Sequence, residues 1–266
     1  MTDPSGLLKR TSIMHYQIGQ AAFVQGASKG IGLALLRRLL DADEHDFIFA
    51  SSRNPSACEA LSRLAESHQE RLVLLDIDVT EEDTIRAAAE EIDKSSVAIS
   101  LLVNCAGLLH AEGLQPERRL RDIDISQLER LFSVNAFGPL LVAKHCSRFF
   151  CKTSRTVLAN ISARVASIED NQLGGWYGYR GSKAAQNMFT KNLSIELKRS
   201  HQGIICIALH PGSVDTGLSK PFQNNIPPAK LFSTERAARQ LLSVIADLHE
   251  EDNGKFFAWD GTTITW

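Results

Sequence analysis

Short aliphatic runs alternate along this chain with longer stretches whose apolar residues recur at helical spacing. Ala21–Gln25 reads as a buried strand. Gly30–Leu40 reads as the helix after it, with Leu35, Leu36, Leu39 and Leu40 on its inner side. A strand at Phe47–Ser51 and a helix at Cys58–Ser67 follow. Leu72–Ile77 predicts a third strand and Glu81–Ile92 a third helix, with Thr80 as its N-cap and Asp83 three residues later. Leu101–Asn104 is the fourth strand, Ser126–Phe150 one long helix, and Thr156–Ile161 the fifth strand. A helix bearing Tyr179 runs to about Arg199, with Ala185, Met188, Phe189, Leu193 and Leu197 as its core-facing stripe. Ile204–Leu209, Thr234–Leu248 and Phe256–Trp259 complete the pattern as strand, helix and strand.

Strand–helix–strand repetition predicts an α/β fold: a doubly wound, seven-stranded parallel sheet with helices on both faces. With no internal repeat and no Gly/Ser linker, residues 21–266 read as one domain behind a polar, flexible arm at 1–20. The long irregular stretch Pro211–Ser233 is expected to be functional, as structureless loops of that length in compact domains usually are.

Composition narrows the partners. The 266 residues carry a net charge of −2, with 44% hydrophobic and 23% charged side chains, which argues against a nucleic-acid surface. Apolar runs fall short of the roughly 18 residues a membrane span requires, and the N-terminus has no secretory core. Five cysteines without a Cys-x-x-Cys pair point to reduced thiols and a cytoplasmic setting. A targeting remnant within 1–20 is the alternative. No histidine spacing suggests a metal.

The candidate chemistry begins at the first strand–helix junction, Gln25-Gly26-Ala27-Ser28-Lys29-Gly30-Ile31-Gly32. Glycines there permit a tight turn, and the helix N-terminus offers free N–H groups to a pyrophosphate. An NAD site needs a carboxylate after the second strand. Here that strand ends Ser51-Ser52-Arg53-Asn54, so Arg53 and Lys29 favour a 2′-phosphate, and hence NADP(H). Asp78, with Val79 beside it, is placed to accept from an adenine amino group. Asn104-Cys105-Ala106-Gly107 ends the fourth strand in a small-residue turn. Tyr179 and Lys183, four residues apart, share one helix face. Asn135 sits in a helical stretch four residues before Pro139, which has no N–H to return to its carbonyl.

Gly26-x-x-x-Gly30-Ile31-Gly32, Asp78-Val79, Asn104-x-Ala106-Gly107, Asn135, Tyr179-x-x-x-Lys183 and Pro211-Gly212-x-Val214-x-Thr216 occur in the order and spacing of the short-chain dehydrogenases/reductases. The resemblance spans residues 21–266. Ser167-Ile168 and Trp259-Asp260-Gly261-Thr262 resemble its sniffer carbonyl reductase and C-factor-like branch. It implies a Rossmann fold, NADP(H), a small-molecule carbonyl substrate and a homodimer or homotetramer. The resemblance implies Tyr179 as proton donor, Lys183 as its electrostatic partner and ribose clamp, and Asn135 as part of a proton relay. Pro211, Gly212, Val214 and Thr216 would complete the cofactor site, with Gly26, Ser28, Lys29, Gly30, Ile31, Arg53, Asp78, Val79, Asn104, Ala106 and Gly107.

Two departures stand out. The family serine falls at Ala163 when register is set by Ser167-Ile168, and strand alternation turns Ser162 away. Either a bulge rotates Ser162 inward, or the oxyanion loses a hydrogen bond. Gln25 replaces the usual threonine, its amide still able to brace the turn. Trp176, Phe222 and the stretch after Gly107 are expected beside the substrate; Trp176 either walls that site or covers the loop. His210 is expected to be structural. The function expected is reduction of ketones, aldehydes or quinones; an NADP-binding signalling or sensor protein with weak turnover is the alternative.

Overall fold

The computed structural model describes residues 19–266, so the arm assigned to 1–20 lies almost wholly outside them. In chain order the first half is β1 (Gln20–Gln25), α1 (Gly30–Ala42), β2 (Phe47–Ser52), α2 (Glu59–Ser67), β3 (Leu72–Asp76), α3 (Glu82–Lys94) and β4 (Ala98–Asn104). The second half is α4 (Ile125–Phe132), α5 (Gly138–Cys146), β5 (Thr156–Ile161), α6 (Tyr177–Leu197), β6 (Ile204–His210), β7 (Ser213–Val214), β8 (Leu231–Phe232), α7 (Thr234–Ala246) and β9 (Phe256–Ala258). Seven strands form one parallel sheet in the order β3-β2-β1-β4-β5-β6-β9.

Successive side chains of a strand point to opposite faces, and the core divides accordingly. Ala22, Val24, Ile48 and Ala50 pack with α1, α2 and α7. Ala21, Phe23 and Phe49 pack with α3, α5 and α6, the two phenylalanine rings meeting edge to face at 6.3 Å. Chain order reverses between β1 and β4, which opens a crevice beyond the carboxyl ends of these strands.

Four expectations need correction. Thr80 does not cap α3: Glu81 holds that position, and the Thr80 hydroxyl donates instead to Asp78 Oδ1 at 2.7 Å, in a turn that Asp78 itself organises. The helix expected over Ser126–Phe150 is broken. Asp124 caps α4 by accepting from Gln127 N, Ser133–Phe137 forms a π turn, and Gly138 N reaches back five residues to Ser133 O. Pro139, one residue on, has no N–H to offer, and such wide turns commonly mark functional sites.

The stripe assigned to α6 is also wrong in part. Leu193 and Leu197 are buried, but Met188 is 60% exposed. The buried face is largely polar: Ser182, Lys183, Gln186, Asn187, Thr190 and Ser194. The β5 strand, with Ser162 just after it, meets part of this face with hydrogen bonds, while Gln186 Nε2 and Asn187 Nδ2 have no partner among the described residues. Asn160 Nδ2 donates to Thr190 Oγ1 at 2.8 Å, and Asn104 Nδ2 to Asn160 Oδ1 at 2.8 Å. The stretch Pro211–Ser233 is less irregular than expected, since β7 and β8 pair within it.

Candidate active site

The crevice is a cleft of about 730 Å³ along the carboxyl ends of the central strands. Its one end is the β1–α1 turn. Gly26 N and Ala27 N donate to Ser51 O at 3.0 and 2.8 Å, tying the turn to β2. Gln25 Oε1 accepts from Ala106 N at 3.2 Å, so this amide does brace the turn against the β4 loop. Gly32 admits no side chain: a Cβ there would lie 2.2 Å from Gly26 O. Lys29 and Arg53 are exposed at the cleft edge. Ser52 also lines it, its buried hydroxyl lacking a partner.

Of the residues singled out from sequence, the cleft brings together Gly26, Ser28, Lys29, Gly30, Ile31, Arg53, Asp78, Val79, Ala106, Gly107, Ser162, Tyr179, Lys183, Pro211 and Thr216. It does not bring in Asn104, Asn135, Gly212 or Val214, and the side chains expected beside the substrate, Trp176 and Phe222, also stand outside its lining. Asn104 is fully buried beneath the floor, bonded to Asn160. Val214 is buried in the β7–β8 pair, and Gly212 packs against Phe232 and Trp259. Asn135 stands one layer back. Its Oδ1 accepts from Leu108 N at 2.7 Å, and its Nδ2 donates to Leu108 O at 2.8 Å and to Ser182 Oγ at 3.0 Å. It therefore fastens the β4 loop to α6.

At the other end, Tyr179 is 6% and Lys183 3% exposed. Burial holds the Tyr179 phenol above its ordinary range. The expected lowering by Lys183 is not found, because burial dominates both groups. The Lys183 ammonium is brought down to about 7 by burial, with the neighbouring Cys105 acting in the opposite sense. Burial pushes the Cys105 thiol up to about 12. Lys183 Nζ donates to Ile161 O at 2.8 Å and to Gln186 Oε1 at 3.1 Å. A Cβ on Gly107 would fall 3.6 Å from Asn135 Oδ1 and 3.7 Å from Lys183 Nζ, so the two polar groups converge on that glycine.

Ser162 reaches the cleft, but its hydroxyl donates to Asn187 Oδ1 at 2.7 Å. Asn187 is one turn beyond Lys183 on α6, so this hydroxyl is engaged with the helix one turn past the Tyr179–Lys183 pair. Ala163 brings no polar side chain to the position. His210 is held neutral, its imidazole lowered to about 4 by burial and next by Arg164, in keeping with a structural role.

Aromatic rings gather over Tyr179. Trp176 lies 6.2 Å from the Tyr179 ring and 5.0 Å from that of Phe222, and Phe222 lies 5.7 Å from His110. His110 Nε2 is 3.0 Å from Gly217 O, which links the β4 loop to the Pro211–Ser233 segment. Two residues here escaped sequence reasoning. His110 could have been sought as the ring in the stretch after Gly107. Glu117, buried at 2% exposure, sits in a polar run whose only signal is the proline before it.

Comparison with known proteins resolves the family. Residues 20–227 match the short chain dehydrogenase family. This chain belongs to it. The fold superposes with a TM-score of 0.82 on the NADPH-bound carbonyl reductase from chicken fatty liver, at 29% identity, covering 94% of this chain and 99% of that one. Against the carbonyl reductase Sniffer of D. melanogaster the TM-score is 0.81, at 26% identity, with 94% and 100% covered. The C-signal protein of Myxococcus xanthus is 33% identical over 168 residues, 63% of this chain and 93% of the relative. The chain is thus an oxidoreductase-family protein with carbonyl reductases among its structural neighbours.

Proposed function

We propose that this protein transfers hydride between NADP(H) and a small carbonyl compound, reducing a ketone, aldehyde or quinone. The observation that carries the reading is one cleft with a glycine cradle at one end and a buried, protonated phenol beside a lysine at the other. The residues fit the cofactor: the contact between Gly32 and Gly26 leaves bare backbone at the turn, the Ser52 hydroxyl lacks a partner, and Lys29 and Arg53 stand ready for a 2′-phosphate. Bound there, a nicotinamide cofactor would supply hydride to a carbonyl carbon.

The chain's own residues supply the rest. Tyr179 donates its hydroxyl proton to the carbonyl oxygen as negative charge develops there. A phenol kept protonated by burial suits reduction better than the reverse reaction, which needs phenolate. Lys183, charged below about pH 7, stabilises the phenolate left behind and would hold the ribose hydroxyls of the cofactor. Asn135, with the π turn around it, positions Lys183's neighbourhood and completes the route for reprotonation from solvent. The exposed Phe137 and Met188, near Asn135 and on α6, suit pairing into a homodimer or homotetramer.

A second reading, a nucleotide-binding signalling or sensor protein with weak turnover, draws on the committed Ser162 hydroxyl and the absence of a hydroxyl at Ala163. One assay separates the two. NADPH oxidation is followed with diketones, quinones and aldehydes, for wild type and Tyr179→Phe. Tyr179→Phe should lose about 10²–10⁴-fold in kcat with NADPH binding intact. Tight NADPH binding without turnover of any substrate would favour the sensor.

A further inference from the structure

Glu117 is a buried carboxyl group outside the family motifs, and it is spent on main-chain atoms. Both of its side-chain oxygens lie 3.2 Å from Gly178 N, in the first turn of α6. Its own carbonyl accepts from Trp176 N at 2.6 Å. One residue therefore grips the chain on both sides of Trp176, at the positive end of the helix carrying Tyr179 and Lys183.

What it grips is strained. Gly174, Gly175 and Trp176 all have left-handed backbone, with φ of 63°, 65° and 50°. Glycines take that conformation freely, whereas for a bulky residue it is an outlier that persists only where surroundings over-determine it. Trp176 also provides no side-chain cap for α6. Space for the Glu117 carboxyl exists because residue 178 is glycine: a Cβ there would lie 2.8 Å from Glu117 Oε1 and 2.6 Å from Leu131 Cδ1.

The outcome is the orientation of the indole. Trp176 is placed edge to face with Tyr179 and against Phe222, which continues to His110. The proton donor thus borders a run of aromatic rings, one end of which, His110, lines the cleft. Such a surface favours a flat aromatic group over an alkyl chain of similar size. We propose that Glu117 is the positioning residue of this wall, fixing Trp176 beside Tyr179 so that carbonyls bearing an adjacent aromatic ring are preferred. The proposal rests on the carbonyl-reductase reading.

The test compares 1-phenyl-1,2-propanedione with 2,3-butanedione, using NADPH and the full chain. Glu117→Ala should raise KM for the aryl dione about tenfold or more, because small misplacement of a binding wall is costly. KM for butanedione and the affinity for NADPH should change less than about twofold. Glu117→Gln, whose amide oxygen still accepts from Gly178 N, should restore most of the loss; Gly178→Ala should reproduce it. Equal loss on both diones, or no change on either, overturns the proposal. Glu117→Asp replaces Glu117→Ala if the latter fails to fold. A wild type inert toward both diones overturns the aryl preference, and one inert toward quinones and aldehydes as well refutes the carbonyl-reductase reading instead. Emission from Trp176 in a Trp259→Phe, Trp266→Phe background then decides whether Glu117 positions the ring: an unshifted spectrum in the Glu117 variant sinks that part too.

Discussion

At the β1–α1 turn, the cleft is shaped by main chain. Gly26 and Ala27 bond to Ser51, Gly32 packs on Gly26, and the side chains present, Lys29 and Arg53, are mobile-stemmed cations at the edge. Around Tyr179 the surroundings are side chains from three separate segments: His110, which lines the cleft, and Trp176 and Phe222 packed beyond it, with Glu117 behind them. Backbone cradles accept few substitutions but serve one invariant shape, a pyrophosphate. Walls of side chains can be rebuilt ring by ring. The two ends should therefore fail differently when altered.

The largest effect is expected at the cradle. Gly32→Ala would force a Cβ to 2.2 Å from Gly26 O, and should destabilise the fold by about 3 kcal/mol or more. Thermal unfolding and loss of NADPH binding would show it. Next comes Lys183→Met, which should lower kcat by about 10²–10³-fold. It should also stabilise the chain near neutral pH. The folded lysine titrates at about 7, well below the unfolded value of ~10.4. Between those values the unfolded chain binds more protons, so wild-type stability climbs as pH rises from 7 to 10. Urea unfolding at pH 6 and pH 9 should reveal a slope of about 2–4 kcal/mol that Lys183→Met removes. A flat wild-type profile would mean that the ammonium is well solvated.

Arg53→Ala sharpens the contrast from the cofactor side. It should weaken NADPH by about 10–100-fold and leave NADH unchanged, since a single charge-assisted contact to the 2′-phosphate is lost. An equal loss for both nucleotides would place Arg53 elsewhere. The smallest effect is expected for Ser162→Ala. With its hydroxyl already donated to Asn187, turnover should fall less than about threefold, whereas removing an oxyanion donor costs about 10²–10³.

The same contrast explains what could be read from the chain. A glycine cradle writes itself into residue types, because only glycine survives where Cβ meets backbone; the Gly26–Gly32 turn and its place after β1 were therefore legible. So was the alternation that builds the sheet. The π turn at Ser133–Phe137 was not, because its apolar spacing differs little from that of the helix expected across Ser126–Phe150. The polar inner face of α6 was missed for a related reason. Asn187 and Thr190 look like surface residues until Ser162 and Asn160 are known to face them. Glu117 was illegible altogether: a carboxylate among polar neighbours reads as solvated, and its partner Gly178 lies 61 residues away. That Tyr179 and Lys183 share one helix face was visible from spacing, but not the burial of both at the cleft.

The bond from Gln25 to Ala106 spans 81 positions, and Pro211 and Thr216 enter the same cleft from far beyond it. During synthesis, then, the leading third of the chain emerges with its glycine turn but without the facing walls. Long-range parallel pairing of this kind is slow to form. The cleft is complete only when β4, β5 and β6 have been added in turn beside β1, so a nucleotide bound there would reward a late stage of folding rather than guide an early one. Cellular supply of the cofactor would consequently govern how long the finished protein persists more than how quickly it is made.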